Sequence, residues 1–325
     1  MNLFKCAIKS ILSRKVSIAL LILSIGLSTM MLVGINKMTS SVKESFSNSV
    51  SGTDLIVGAR TGDLQLLLYS IFHIGMPSKT MKWESYEYIH HHPNVDWTIP
   101  ISLGDSHRGY PVVATTTAFF DHYLFSQKIA LSFLSGASFS KSLEVVIGAD
   151  VAQTTGYSLG SSLYLTHGFT DHVAAIHDDK VFKVVGVLNR TGTPVDKSLF
   201  ISLESMAHLH AYELEYDDHD DHANHDDHDD HADHDNHADH DNHDNHDDHA
   251  DQDDHHLHHG GHGERNISAV LVGTKTKFSI FNLKEEINNY RYEALSAILP
   301  GLSLLQLWET ISNVEVVFQI TAVIV

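Results

Sequence analysis

The sequence predicts an α+β protein held on the outer face of a membrane, and three observations carry that expectation. Residues 16–35, VSIALLILSIGLSTMMLVGI, run without a single charge. Behind them, residues 36–313 mix β-branched runs with amphipathic helical runs in no regular alternation, which argues against a doubly wound parallel sheet. Set into that region is a tract, residues 217–262, made almost wholly of His, Asp, Asn and Ala.

The apolar run is long enough to cross a bilayer: at about 1.5 Å per residue it reaches roughly 30 Å. Lys5, Lys9, Arg14 and Lys15 precede it, whereas Lys37 and Lys43, the latter followed by Glu44, come after it. This bias puts the N-terminus in the cytoplasm and the following region outside. A cleaved leader is the rival reading, but the run exceeds the usual apolar stretch of about 7–15 residues and no small-x-small site follows. Residues 1–15 are expected to form a cytoplasmic amphipathic helix, with Leu3, Phe4, Ala7, Ile8, Ile11 and Leu12 on one face. Residues 314–325, VEVVFQITAVIV, remain apolar to the last position. They read as the start of a second span in a truncated product, with a short buried strand as the rival. The expected layout is therefore a helix at 1–15, a span at 16–35, an extracytoplasmic domain at 36–313 carrying an insertion at 215–263, and a second span from 314. Cys6, the one cysteine, falls on the cytoplasmic side, so the outer region has no disulfide and no thiolate metal centre.

Through the outer domain, residues 36–48 extend the membrane helix. Strands are expected at 54–59, 96–103 and 110–116, the last two joined by a turn holding Gly104 and Gly109. Helices are expected at 64–74, closed by Gly75-Met76-Pro77, and at 82–92, closed by Pro93. Residues 119–125 read as an aromatic helix. Next come a strand at 144–147, a helix at 149–155, strands at 162–165, 181–187 and 198–203, and a helix at 204–212. Their β-branched content and glycine breaks suggest a small barrel. Gly186, Gly192 and Pro194 read as turn punctuation, and Lys43 and Glu44 as stalk surface. After the tract come a strand at 267–273 and helices at 280–290 and 304–313.

The tract holds 18 of the 41 acidic residues and 16 of the 27 histidines, and without it the net charge of −20 falls to about −2. It has almost no apolar surface to bury, so it is expected to be a disordered, solvated insertion. Its candidate ligands are His219, His222, His225, His228, His231, His234, His237, His240, His243, His246 and His249, spaced every third residue, then His255, His256, His258, His259 and His262. Imidazole and carboxylate together suit zinc, nickel or copper, bound weakly, collectively and exchangeably. A repeat expansion tolerated in an exposed loop is the plainer reading, since loop closure entropy grows slowly with length. No other cofactor is required.

Smaller candidates carry bland alternatives. His90, His91 and His92 precede Pro93 and read as a helix end at the surface. His167, His172 and His177 recur every five residues beside Asp171, Asp178 and Asp179, a loop with some metal affinity. His73, His107 and His122 read as packing or surface residues. Gly104-Asp105-Ser106-His107 looks superficially like an esterase start, but no G-x-S-x-G elbow or positioned base accompanies it. No G-x-x-x-x-G-K-[ST] or G-x-G-x-x-G is present, so the chain carries no nucleotide cradle of either kind. With 21 basic residues and no basic stripe, nucleic acid is not a partner.

Several segments in order resemble ABC transporter permeases of the MacB/FtsX type: the amphipathic start and first span, then DLIVGARTGDLQLLLYSIFHIG, EVVIGADVAQTTGYSLGSSLYL, FKVVGVLNRTGTPVDKSLFISLE and LPGLSLLQLWETISNVEVVF. The resemblance implies a non-catalytic permease of the bacterial inner membrane with four spans. It implies a large mixed α/β outer domain between the first two spans, a cytoplasmic ABC ATPase as partner, dimerisation with itself or a second permease, and room for a periplasmic partner. The cargo would be a lipoprotein, peptide or small molecule. The sequence departs from that pattern by stopping inside the second span. The alternative function is a membrane-anchored metal-buffering protein acting through the tract.

Overall fold

The structure, a computed structural model, describes residues 14–167, 180–210 and 267–324. It opens with helix α1 (Lys15–Ser49), 35 residues of unbroken helix and about 52 Å long. No proline interrupts it, and its apolar part is long and hydrophobic enough to cross a membrane by length and composition. There the side chains face outward: Leu20, Leu23 and Leu27 are 60–67% exposed.

The outer domain is built on one open mixed sheet. Its edge-to-edge order is β13 (Leu295–Ile298), β1 (Leu55–Ala59), β12 (Ala269–Thr274), β2 (Val95–His107), β3 (Tyr110–Thr115), β11 (Leu199–Ser202), β7 (Glu144–Ile147), β10 (Phe182–Leu188) and β6 (Phe133–Gly136). Two short strands attach off this path: β8 (Ser162–Leu163) pairs with β10, and β9 (Thr166–His167) pairs with β2. Residues 124–125 and 129–130 form the separate ribbon β4–β5. Strand β2 joins the two halves. Its residues 95–101 pair with β12 and residues 102–107 with β3.

Side-chain alternation decides which core each strand residue serves. Ile56, Ala269, Leu271, Ile99, Ile101, Val113, Val146 and Phe200 point to one shared core running under the whole sheet. Helix α2 (Asp63–Ile71) and the short helix α4 (Ala118–His122) cover that face through Leu66, Leu67, Phe119 and Phe120. The opposite face is divided. Leu55, Val57, Val270 and Val272 meet helices α3 (Trp83–His90) and α7 (Ile280–Asn288). Val112, Ala114, Val145, Ile147 and Leu199 meet helices α5 (Ala149–Thr155) and α6 (Leu203–His210). Both faces are therefore covered, so β1 reads LIVGA with every residue buried. Each fully buried aliphatic contributes about 1.5–3 kcal/mol.

The last helix, α8 (Pro300–Ile324), leaves the sheet beyond β13. A 3₁₀ turn, Pro194–Lys197, lies before β11, and another, Lys277–Ser279, before α7.

The α+β class holds, and several details are corrected. Among the described residues the sheet is open, not a barrel, with β13 and β6 at its two ends. β2 runs through Gly104 to His107; only Arg108 and Gly109, at φ +50° and +80°, make the turn. Two left-handed residues in succession are what a two-residue hairpin with matching twist requires. Gly186 is not a turn residue. It sits within β10 at a register shift, where a Cβ would lie 2.3 Å from the Ala137 carbonyl oxygen. The aromatic run at 119–125 gives one short helix and then β4, since Tyr123 turns extended at φ −70°, ψ 121°. Strand β13 has a weak local pattern and exists because β1 offers it an edge.

The candidate functional site, a joint between stalk and outer domain

The C-terminal end of α1 is fastened to the outer domain by contacts from several different segments. Ser45 Oγ donates to the Gly192 carbonyl at 3.0 Å. Ser126 N donates to the Asn48 carbonyl at 2.8 Å, and Tyr123 Oη to the Ser49 carbonyl at 3.0 Å. Lys128 N reaches Ser51 Oγ at 3.1 Å. The Ser126 and Tyr123 donors answer carbonyls of the helix end that have no partner within the helix. Burial raises the Tyr123 phenol well above its ordinary value, so it stays a donor.

Aromatic packing forms the other half of the joint. Phe46 stacks on Phe72, just past α2, with centroids 3.9 Å apart. It also meets Trp308 of α8 edge-on at 5.5 Å, and Lys43 Nζ lies 5.7 Å above the same indole. Lys43 is therefore a packing residue between α1 and α8 as well as stalk surface.

From Phe72 the contacts return to α1 by a closed route. The next residue, His73, is buried and left-handed at φ +53°. Its Nδ1 lies 2.8 Å from Ser198 Oγ, and Ser198 Oγ donates to the Pro194 carbonyl at 3.0 Å. The loop before Pro194 is drawn tight by Asp196. Its carboxylate accepts from Thr191 N at 2.8 Å, Thr191 Oγ1 at 2.9 Å and Gly192 N at 2.7 Å. Gly192 then accepts from Ser45. Gly148 N donates to the Ser198 carbonyl at 3.0 Å, and a Cβ at Gly148 would fall 2.2 Å from the Val195 carbonyl oxygen. Burial without a charged partner lowers the His73 pKa to about 4, so the ring is neutral at physiological pH.

A second tie lies where β1 begins. Asp54 accepts from Thr274 N at 2.9 Å and Thr274 Oγ1 at 2.7 Å, and pairs with Lys277. Burial pushes the Asp54 pKa up, but the bonds from Lys277 and Thr274 outweigh it and hold the carboxyl below its ordinary value.

The joint holds no aligned nucleophile, base and acid; what it can do is carry force between helix and sheet. Apart from His73, the sequence candidates fall elsewhere. All sixteen tract histidines, His219 to His262, lie outside the described residues, as do His172, His177, Asp171, Asp178, Asp179 and Cys6. His167 ends β9. His90, His91 and His92 diverge to Thr98 Oγ1, the Glu87 carbonyl and Glu286 Oε2 respectively. His122 stacks on Trp97. His107 has both ring nitrogens engaged, with the Tyr164 carbonyl at 2.6 Å and Tyr157 Oη at 3.1 Å, while Ser106 Oγ faces Thr166 Oγ1. Ser106 and His107 thus form no catalytic pair. Among the described residues no three His, Cys, Asp or Glu side chains gather as a metal site. Phe46, Phe72 and Trp308 escape sequence reasoning, because aromatic residues on separate segments carry no shared spacing.

A search of curated proteins found no match. Among solved structures, the periplasmic region of MacB from Actinobacillus actinomycetemcomitans is 11% identical, covering 83% of this chain and 97% of its own at a TM-score of 0.43. The extracellular domain of the noncanonic ABC-type transporter YknZ from Gram-positive bacteria is 9% identical, covering 76% of this chain and 99% of its own at a TM-score of 0.39. Overlaps this loose add no weight of their own. The profile of the MacB-like periplasmic core domain matches residues 16–224, well over half of the chain, and the protein belongs to that family.

Proposed function

We propose that the chain is the membrane-spanning permease subunit, or the N-terminal part of one, of an ABC transporter that moves its outer domain rather than opening a wide pore. Residues 16–35 form its first span and residues 314–325 begin its second, with residues 36–313 outside. The observation that carries this reading is that α1 and α8, one before the domain and one after it, pack on each other through Phe46, Lys43 and Trp308 where they meet the sheet. Residues 36–49 of α1 and residues 300–313 of α8 make stalk segments of equal length, each about 21 Å. A cytoplasmic ATPase tilting these helices would move the domain as one body, because the joint ties α1 to segments from both halves of the sheet. The permease itself carries no catalytic group in this scheme, works as a homodimer or heterodimer, and acts on a lipoprotein, peptide or small molecule.

The test is topological first. In a chain with Cys6 replaced by Ser, Ser158→Cys places a thiol on an exposed outer-domain loop. A membrane-impermeant maleimide should label it in intact spheroplasts. Labelling only after lysis overturns the reading. Co-purification of a nucleotide-hydrolysing subunit, with hydrolysis stimulated by the permease, tests the second half.

A second reading rests on the tract. Sixteen histidines and eighteen acids in 46 residues support collective, exchangeable binding of zinc, nickel or copper in the outer compartment. Deleting residues 217–262 separates the readings: lost metal tolerance with intact transport favours buffering, and the reverse favours the permease alone.

A further inference from the structure

Beside the joint lies an open cleft of about 510 Å³, within the range of small-ligand sites, about 300–1,000 Å³. One wall is the stalk helix at Ser45. The others are the residues after α2 (Phe72 to Ile74), the β2–β3 turn, and the loop from Arg190 to Ser198. Its surface is mainly apolar, with Ile74 54% exposed.

Two polar groups on this wall are unused. His73 is 6% exposed, and its Nε2 has no partner among the described residues. Ser198 Oγ lies within reach of both His73 Nδ1 and the Pro194 carbonyl; in the arrangement that places its proton on the carbonyl, His73 donates from Nδ1 and carries the lone pair on Nε2. A buried side chain held left-handed in the lining of a cleft is the kind of strain that clusters at binding sites. Lys197, exposed on the rim, has no carboxylate or hydrogen-bond partner among the described residues. The remaining charges cancel or are consumed: Arg190 pairs with Asp150 at 2.6 Å, and Asp196 is spent on its own loop.

We propose that this cleft binds a short apolar peptide segment, whose backbone N–H donates to His73 Nε2 and whose carbonyl accepts from Lys197 while an apolar side chain lies against Phe72 and Ile74. The lining carries two cations and two acids, so a strongly anionic amphiphile gains little, whereas a neutral peptide offers both hydrogen-bonding partners. Since Ser45 belongs to the stalk, tilting α1 would open or close the cleft. The proposal rests on the permease reading only for that last step; binding itself does not depend on it.

The full chain in lipid nanodiscs is exposed to a blocked dipeptide, N-acetyl-photoleucyl-leucinamide, irradiated and mapped by mass spectrometry. Adducts are expected on residues 72–74, 109–111 and 190–198. Lys197→Met, at an exposed position that leaves the fold intact, should cut labelling about threefold, the scale of a solvent-exposed charged contact, and His73→Gln about tenfold, the scale of one lost hydrogen bond to a buried group. Absent labelling, labelling spread evenly over the surface, or labelling unchanged in Lys197→Met overturns the proposal. So does displacement by dodecyl phosphate but not by the unlabelled dipeptide, which would identify an anionic amphiphile instead. A chain labelled at position 158 from outside that takes no peptide loses this cleft alone and keeps the permease reading.

Discussion

Phe46 of the stalk helix lies face to face on Phe72, centroids 3.9 Å apart and planes 22° from parallel, while its edge meets Trp308 of the last helix. One side chain therefore links the two stalk helices to the outer domain. Replacing Phe46 by Ala removes both aromatic contacts of a half-buried side chain, which should cost about 1–3 kcal/mol. Thermal unfolding of the full chain in detergent should move to lower temperature, and protease should cut near Ser49 sooner than in the parent. An unchanged melting temperature would show that the ring contacts carry no load.

Gly148 has no room for a methyl group, with the Val195 carbonyl oxygen 2.2 Å from the position of a Cβ. Gly148→Ala should push the Pro194–Lys197 turn outward and lengthen the His73–Ser198 contact, at a cost of about 1–3 kcal/mol. Chemical denaturation measures this, and the denaturant midpoint should fall with the slope unchanged.

Asp54 makes stability depend on acid. Its folded pKa lies below its ordinary value of 3.8. The stabilisation is therefore fully present above the unfolded pKa and lost as pH falls through the folded one. Asp54→Asn should leave a protein whose stability between about pH 5 and pH 2 falls less steeply than the parent's. Unfolding midpoints measured across that window test it; parallel curves would refute it.

Glu293 caps a helix from far along the chain. Its carboxylate accepts from Lys82 N at 3.1 and 3.2 Å and from Ser85 Oγ, at the start of α3, which makes no side-chain cap of its own. Glu293→Ala should cost about 1 kcal/mol and raise amide exchange in the first turn of α3, read by hydrogen–deuterium exchange. Glu293→Gln, which keeps an acceptor oxygen, should recover part of the loss.

Much of this architecture was legible before any coordinates. Long helices and strands announced themselves wherever a local pattern dominated: α1 by its apolar run, β1 by LIVGA, α5 by the run after Gly148. The errors share a cause. β2 was cut short at Gly104 because glycine is a local breaker, yet pairing with β3 and β9 carries the strand through to His107. β-branched density suggests a barrel, but closure depends on which edges meet, and among the described residues β13 and β6 do not. The joint is almost wholly hidden in the sequence: Lys43 and Glu44 read there only as stalk surface, and His73 as packing or surface, which its burial answers in favour of packing.

By itself the sequence determined the composition-driven features: a charge-free helix able to cross a bilayer, an α+β domain after it, the absence of nucleotide motifs, and the concentration of acid and histidine in one tract. Those follow from properties of consecutive residues. The tertiary structure alone decided that Phe46 meets Phe72 and Trp308, that Ser45 closes a loop onto Gly192, and that His73 lines a cleft beside the stalk helix. These depend on residues from remote segments arriving together, and periodicity along a chain carries no record of which remote side chains the packing of the core will bring into contact.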